Sequence, residues 1–441
     1  MGNRVEWRKD SGLRAGSYHK VDLVGGYYVN HGYVKFGYPM AASMTMLAWG
    51  IEEFKRAYMI AEEYTNGLAA VKWGADYFIK CFTDEFEFYG QVWKTTDLND
   101  YWGRPEDIDE EVDTVSFKCT HKKPCSDLLA ETAAALAATG VIFKEKDAVY
   151  ARKCIQKAIG LYKFANKFRG SYHKSIPDAI NGYQSYNGFD DELAWACLWL
   201  FKATKQKVWI SKASDHMKRM NKKTKIKYFN WDDKRAAVDL MYATVTNSTM
   251  HWGKTRKFCD YLAPGGGAEY TPRGLLFLNE WGTLGDTSNS VFLCLLAASR
   301  GQRPNVYRLL AKKQLFYMLG ENTGQSFVVG YGKNGGPLRP YHKASSCPSK
   351  PKKCGWSYKN SEDPNPHPLY GALVSGPNIL DEFKDDRSDF QHSAVGLTNN
   401  AGFTGLVAGI YDLELDGVML EDKVNFRNSK GKKSNISCRL H

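Results

Sequence analysis

Apolar side chains recur at three- and four-residue spacing along most of this 441-residue chain, the period of helices with one face against a core. The pattern predicts helices near 40–57, 62–82, 126–144, 146–167, 190–204, 234–246, 286–300 and 304–319, with a last one near 402–412. Asp190-Asp191-Glu192 puts acid at a helix N-terminus, and Pro304 suits a first turn. No strongly alternating strand pattern competes. Between the helices lie long stretches rich in Gly, Pro, Asn and aromatics, at 83–124, 262–284 and 320–401. Structureless segments of that length usually carry function. Paired helices with elaborate loops at one end predict an all-α helical barrel with its site in those loops. No fixed-period repeat points to a solenoid, and no linker divides 1–414, read as one domain. The basic stretch 415–441 reads as a C-terminal extension.

Composition narrows the class. The hydrophobic fraction is 43% with 24% charged, a folded globular protein rather than a disordered one. No apolar run approaches the roughly 18 residues that span a bilayer. Met1-Gly2-Asn3-Arg4 lacks the apolar core of a signal peptide, so either the numbering starts inside a longer precursor or the protein stays in the cell. Cys197 and Cys294 lie in apolar helical runs and read as free core thiols. Cys347 and Cys354 flank a Pro/Lys-rich loop and read as a local disulfide. With the sequons at Asn247 and Asn435, that staple favours a secreted or extracellular protein.

Formal net charge is +12, with basic clusters at 218–227, 350–353 and 430–433. A solvated basic surface is the plain reading; attraction to acidic polysaccharide or membrane is the functional one. None of the clusters carries interleaved aromatics or a nucleic-acid-binding motif, which argues against nucleic acid.

Several strings, in order along nearly the whole chain, carry a resemblance. Trp7-Arg-Lys-Asp-Ser11, Asp22-Leu-Val-Gly-Gly-Tyr-Tyr28 and Val34-Lys-Phe-Gly-Tyr-Pro-Met40 stand near the start. Tyr101-Trp-Gly-Arg-Pro-Glu-Asp107, Glu131-Thr-Ala-Ala-Ala-Leu136, Asp191-Glu-Leu-Ala-Trp195 and Tyr270-Thr-Pro-Arg-Gly-Leu-Leu276 follow. Ser326-Phe-Val-Val-Gly-Tyr-Gly332, Ser345-Ser-Cys-Pro348, Asp385-Asp-Arg-Ser-Asp389 and Ala401-Gly-Phe-Thr-Gly405 complete the set. Together they resemble the glycoside hydrolase family 9 endo-β-1,4-glucanases, the animal ones especially. The resemblance implies an (α/α)6 barrel of the six-hairpin glycosidase type with an open cleft for β-1,4-glucan.

That family inverts the anomeric centre with two carboxyl groups, about 6.5–9.5 Å apart to admit the attacking water. Its base motif, Asp-Ala-Gly-Asp, falls here on Val29-Asn30-His31-Gly32. Its acid, a Glu, falls on Ala394. A site-lining His of Arg-Pro-His-His-Arg falls on Tyr341 of Arg339-Pro340-Tyr341-His342-Lys343. Neither a valine, a glycine nor an alanine side chain shuttles protons, so the framework is kept and the chemistry erased.

Three readings follow. A pseudoenzyme would keep the cleft as a groove for polysaccharide or oligosaccharide, with Tyr28, Tyr33, Tyr101, Trp102, Trp356 and Tyr358 as platforms and Arg339 and Asp389 as polar contacts; against this, the aromatics are simply core. A re-purposed enzyme would use Asn30, His31, Tyr341, His342 and Asp389 at the old site. A scaffold would bind a partner through its basic surface. No cofactor is required, although in the re-purposed reading His31 and His342 could instead hold a metal. The family's calcium stretch, matched by Asn187-Gly188-Phe189-Asp190-Asp191-Glu192, implies a structural calcium on Asp191, Glu192 and Asp232, or Asp233; helix capping is the plainer alternative. The family's first helix precedes the segment that begins here at Trp7, so one outer position of the barrel is expected to lack its helix. A second copy or a partner chain is expected to cover the resulting groove.

Overall fold

The structure is a computed structural model that describes residues 5–29, 32–96, 101–108 and 115–418. Its body is made of α1 (Gly37–Glu53), α2 (Tyr64–Cys81), α3 (Ser126–Phe143), α4 (Ala148–Lys167), α5 (Asp190–Thr204) and α6 (Val208–Arg219). The second half supplies α7 (Arg235–Thr246), α8 (Thr249–Leu262), α9 (Thr283–Ser299), α10 (Pro304–Met318) and α11 (Leu397–Leu415). The odd-numbered helices pack in a closed ring, α1 on α3, α3 on α5, and so on until α11 returns to α1. The even-numbered helices lie outside it, each against its predecessor.

Burial explains which helix goes where. α3 and α9 bury nearly every side chain, as helices surrounded on all sides must. α4 buries a single stripe through Tyr150, Cys154, Ala158, Leu161 and Ala165 and leaves a basic face outside. At Gly402 and Gly409 of α11, an added Cβ would come within 2.0 Å of Asn289 and 2.5 Å of Leu295. Glycine there lets α11 close against α9 and seal the ring. The double barrel is therefore an (α/α)6 arrangement with six inner and five outer helices among the described residues. The outer place between α11 and α1 holds no long helix among them. A short helix, Lys55–Ile60, packs on α11, and Arg56 pairs with Asp412 and Asp416.

Four sequence expectations change. α6 and α8 were not foreseen; both carry lysines, and α6 buries only four of its 12 residues and α8 six of its 14. Strands are present: an antiparallel sheet of β1 (Lys35–Phe36), β2 (Phe82–Asp84), β3 (Glu87–Val92) and β4 (Ser116–Thr120), with β3 at its centre, and a hairpin of β5 (Glu269–Tyr270) and β6 (Leu276–Phe277). β1, β2, β5 and β6 are too short to show alternation, and β3 is buried along nearly its whole length, on both faces. Cys294 is not a free thiol: it bonds to Cys259, joining α8 to α9 across 35 residues. α3 is long and apolar enough to cross a membrane, but 94% of that stretch is buried inside the barrel. Its apolarity is that of an inner helix.

The expected Cys347–Cys354 bridge is present, as is a further one between Cys119 on β4 and Cys125 before α3. Cys197 is a free, buried thiol, its pKa pushed up to about 12 by burial. Asn247 is exposed in the turn between α7 and α8. Asn435 and nearly all of the 415–441 extension lie outside the described residues.

Candidate active-site cleft

A cleft of about 630 Å³ opens at one end of the barrel. Its walls come from segments just before the inner helices: 29–36 before α1, 181–186 before α5, 228–232 before α7, 279–282 before α9 and 390–396 before α11. Helices that start at one end of the ring gather their leading loops there.

Val29, Gly32 and Ala394, more than 360 residues apart at the extremes, line this one cleft. Val29 is 2% exposed and donates its backbone N–H to the Val34 carbonyl at 3.1 Å. A Cβ added at Gly32 would meet nothing within 4 Å, so the position faces open space. The Ala394 carbonyl accepts from Ser375 N–H at 2.9 Å and from the Asn399 amide at 3.3 Å. None of these three side chains transfers a proton. The carboxyl groups that line the cleft are Asp232 and Asp286. Burial raises both above the ordinary carboxylate range, Asp286 to about 7.

Comparison with known proteins decides the family. The glycosyl hydrolase family 9 model matches residues 1–407. The chain is 37% identical over 428 residues to endoglucanase A of Bacillus pumilus, covering 94% of this chain and 63% of that protein. It is 36% identical over 436 residues to endoglucanase 17 of Arabidopsis thaliana, covering 92% and 84%. Among solved structures, the endoglucanase of the termite Nasutitermes takasagoensis superposes with a TM-score of 0.90 at 41% identity, covering 93% of each chain. The cellulase Cel9M of C. cellulolyticum, solved with cellobiose, gives 0.86 at 31% identity over the same shares. The chain belongs to glycosyl hydrolase family 9. It spans 63% of the length of the Bacillus pumilus protein and 65% of that of endoglucanase 4 of Bacillus sp. (strain KSM-522), under two thirds of each.

Within this family 9 barrel only part of the re-purposed set is described. Asn30 and His31 lie outside the described residues. Tyr341 donates its N–H to Ser393 and pairs as a parallel bridge with Ala394, its ring against Trp102 at 5.2 Å and Phe390 at 6.0 Å. His342, the next residue of an extended segment, projects to the opposite side. Its Nδ1 accepts from Ser345 N–H at 3.0 Å, capping the short helix Lys343–Ser346. Burial, with Arg8 nearby, holds its pKa down at about 4, so the ring stays neutral. Asp389 caps the helix Phe390–Ser393 and holds His392 Nδ1 at 2.9 Å. Tyr341, His342 and Asp389 each hold local backbone, Tyr341 and Asp389 in the 390–394 segment and His342 at Ser345.

The expected glycan platforms also move. Trp102 is 2% exposed, with Nε1 donating to Ser346 Oγ at 3.1 Å. Tyr33 is buried, its hydroxyl on the Gly103 carbonyl; Tyr28 packs on Tyr33 and bonds Ser11, and Tyr101 donates to the Arg104 carbonyl. Trp356 is exposed but leans on Trp102 at 5.9 Å. Tyr358 offers its carbonyl to Arg387, and Arg339 N–H donates to Asp385 at 2.9 Å. These seven positions brace loops, and neither they nor Asp389 are on the cleft lining. The aromatic lining comes instead from Phe36, Tyr183, Tyr186, Tyr228, Trp231, Trp281 and Phe390, with Tyr186 73% and Trp281 52% exposed. A signal was available in the sequence: each lies within seven residues of an inner-helix start.

The side chains of the expected calcium set are engaged by protein donors, with Glu192 Oε2 and Asp232 Oδ1 buried and unpartnered among the described residues. Glu192 Oε1 accepts from the Tyr38 hydroxyl at 2.7 Å, Asp191 Oδ2 from Lys234 N–H at 3.0 Å, and Asp232 Oδ2 from Tyr186 N–H at 3.0 Å. Asp233 is clasped by the Arg235 guanidinium. Among the described residues no three His, Cys, Asp or Glu side chains gather as metal ligands.

Proposed function

We propose that this family 9 protein is a catalytically silent cellulase relative whose cleft binds β-glucan or a related polysaccharide. The observation that carries the reading is the meeting of Val29, Gly32 and Ala394 on one cleft wall system, at the positions where the family's motifs place base and acid. Inversion needs two carboxyl groups flanking the bond, and hydrocarbon or hydrogen at both positions supplies neither. The cleft itself keeps the build of a sugar site, with aromatic faces beside a few fixed polar groups. Relatives have been solved with cellobiose and with cellotetraose. Three disulfides support an exported protein, since such bonds persist in oxidising compartments.

Purified protein should release no reducing sugar from carboxymethyl-cellulose above buffer, while calorimetry with cello-oligosaccharides registers binding. Turnover within about a hundredfold of an active relative, a margin small beside what losing both groups should cost, would overturn the reading.

A further inference from the structure

Asp286 stands in the first turn of α9, its N–H on the Gly282 carbonyl at 3.1 Å. It is 7% exposed, and what shows lies on the cleft. Two amides reach it. Asn279 Nδ2 donates to Asp286 Oδ2 at 3.2 Å, and Asn230 Nδ2 to the same oxygen at 3.5 Å.

The orientation of both amides is set by backbone donors. Asn279 Oδ1 accepts from Trp281 N–H at 3.2 Å. Asn230 Oδ1 accepts from the N–H groups of Asp232 and Asp233, both at 3.0 Å. Neither amide can flip without orphaning those donors. Both therefore present N–H to Oδ2, and Oδ1 is left without a hydrogen-bond partner among the described residues, on the cleft side. An almost wholly buried carboxyl held this way is costly unless something completes it.

We propose that Asp286 is the polar anchor of the cleft, its Oδ1 accepting hydroxyls of a neutral β-1,4-linked sugar that Trp281 and Tyr228 flank. This rests on the glycan-binding reading above and names the group that does the recognising. Sugar hydroxyls suit the geometry: one carboxyl oxygen accepts a donor from the ligand while fixed amides lock the other. A charged carboxylate accepts more strongly than a neutral acid.

The same oxygen gives a pH signature. Burial raises the Asp286 pKa to about 7. A proton taken up goes to Oδ1, because Oδ2 already faces two donors, and turns the acceptor into a donor. Asp232 and Tyr228 share the cleft wall, with Asp233 behind them; Tyr228 stays protonated, its pKa pushed up to about 12 by burial and by the Asp286 charge.

The test is calorimetry of the full chain with cellohexaose at pH 6, 7 and 8. Wild type should bind several-fold tighter at pH 8 than at pH 6. Asp286→Asn, of the same shape with an N–H₂ facing the cleft, should lose about tenfold or more in affinity, roughly 1.4 kcal/mol, and its profile should flatten. Trp281→Ala tests the underlying reading by itself. Wild-type binding that weakens with Trp281→Ala but is flat with pH and unchanged in Asp286→Asn overturns the inference and leaves that reading standing. The wild-type profile needs no variant to fold, so a flat one alone overturns it. No binding by wild type overturns both. A pH effect that survives in Asp286→Asn assigns it to Asp232 and also overturns the inference.

Discussion

The Asn399 side-chain amide donates to the Ala394 carbonyl at 3.3 Å, and the same amide reaches Ser375 Oγ, also at 3.3 Å. The backbone that would present a general acid is thus still tied to α11, although the side chain it presents is a methyl group. Ser375 N–H holds the same carbonyl at 2.9 Å.

A held backbone invites restoration. Gly32→Asp together with Ala394→Glu should return a trace of β-glucan hydrolysis where each single change returns none, because inversion needs both carboxyls. Gly32 has room for the side chain. Reducing-sugar release by the double variant, compared with both singles, is the measurement; equal activity in a single variant would contradict the assignment.

The aromatic residues should separate into two classes. Trp281→Ala should weaken oligosaccharide binding by about 1–3 kcal/mol, by analogy with stacking on flat ring partners, and leave thermal stability nearly unchanged. Trp102→Ala should cost about 3–5 kcal/mol of stability, the usual range for an emptied core site. Calorimetry and thermal melts on both variants check this.

His342 predicts a pH dependence of stability. Its folded pKa of about 4 lies below that of a free histidine, near 6.5. The folded state holds the ring neutral, so its contribution is complete above about pH 6.5 and declines as pH falls toward 4. His342→Asn, which can still cap Ser345, should lower the melting temperature at pH 7 and reduce the loss between pH 7 and pH 4.5. Equal pH slopes for wild type and variant would count against it.

The Cys259–Cys294 bridge closes a loop across α8 and α9. Replacing both by alanine should cost about 2–4 kcal/mol, model-dependent as loop-closure arguments are. Cys197→Ala removes a free thiol from the core and should cost less. Denaturant melts of the two variants in oxidising buffer compare them directly.

Much of this architecture was legible in the linear pattern. α3, α5, α9 and α10 follow from apolar spacing alone, because an inner helix must be apolar nearly all round and an amphipathic outer one must repeat its stripe. The family strings pointed to Val29, Gly32 and Ala394, and all three line the one cleft, since a shared framework keeps its residues in order along the chain. α6 was missed although Trp209, Ala213, His216 and Met217 fall at helical spacing, because polar and charged residues make up most of so short a stretch.

What the chain by itself determined is therefore local and sequential: helix periods, the order of the motifs, and which side chains stand at the motif positions. Tertiary structure alone decided which distant residues share a wall. It buried Trp102 and opened Trp281, paired Cys294 with Cys259, turned His342 away from Tyr341, and aimed two amides at Asp286. The physical reason is that exposure and hydrogen-bond partnership depend on what packs from elsewhere in the chain. In a ring of helices, each cleft residue meets neighbours that arrive from the loops of other hairpins.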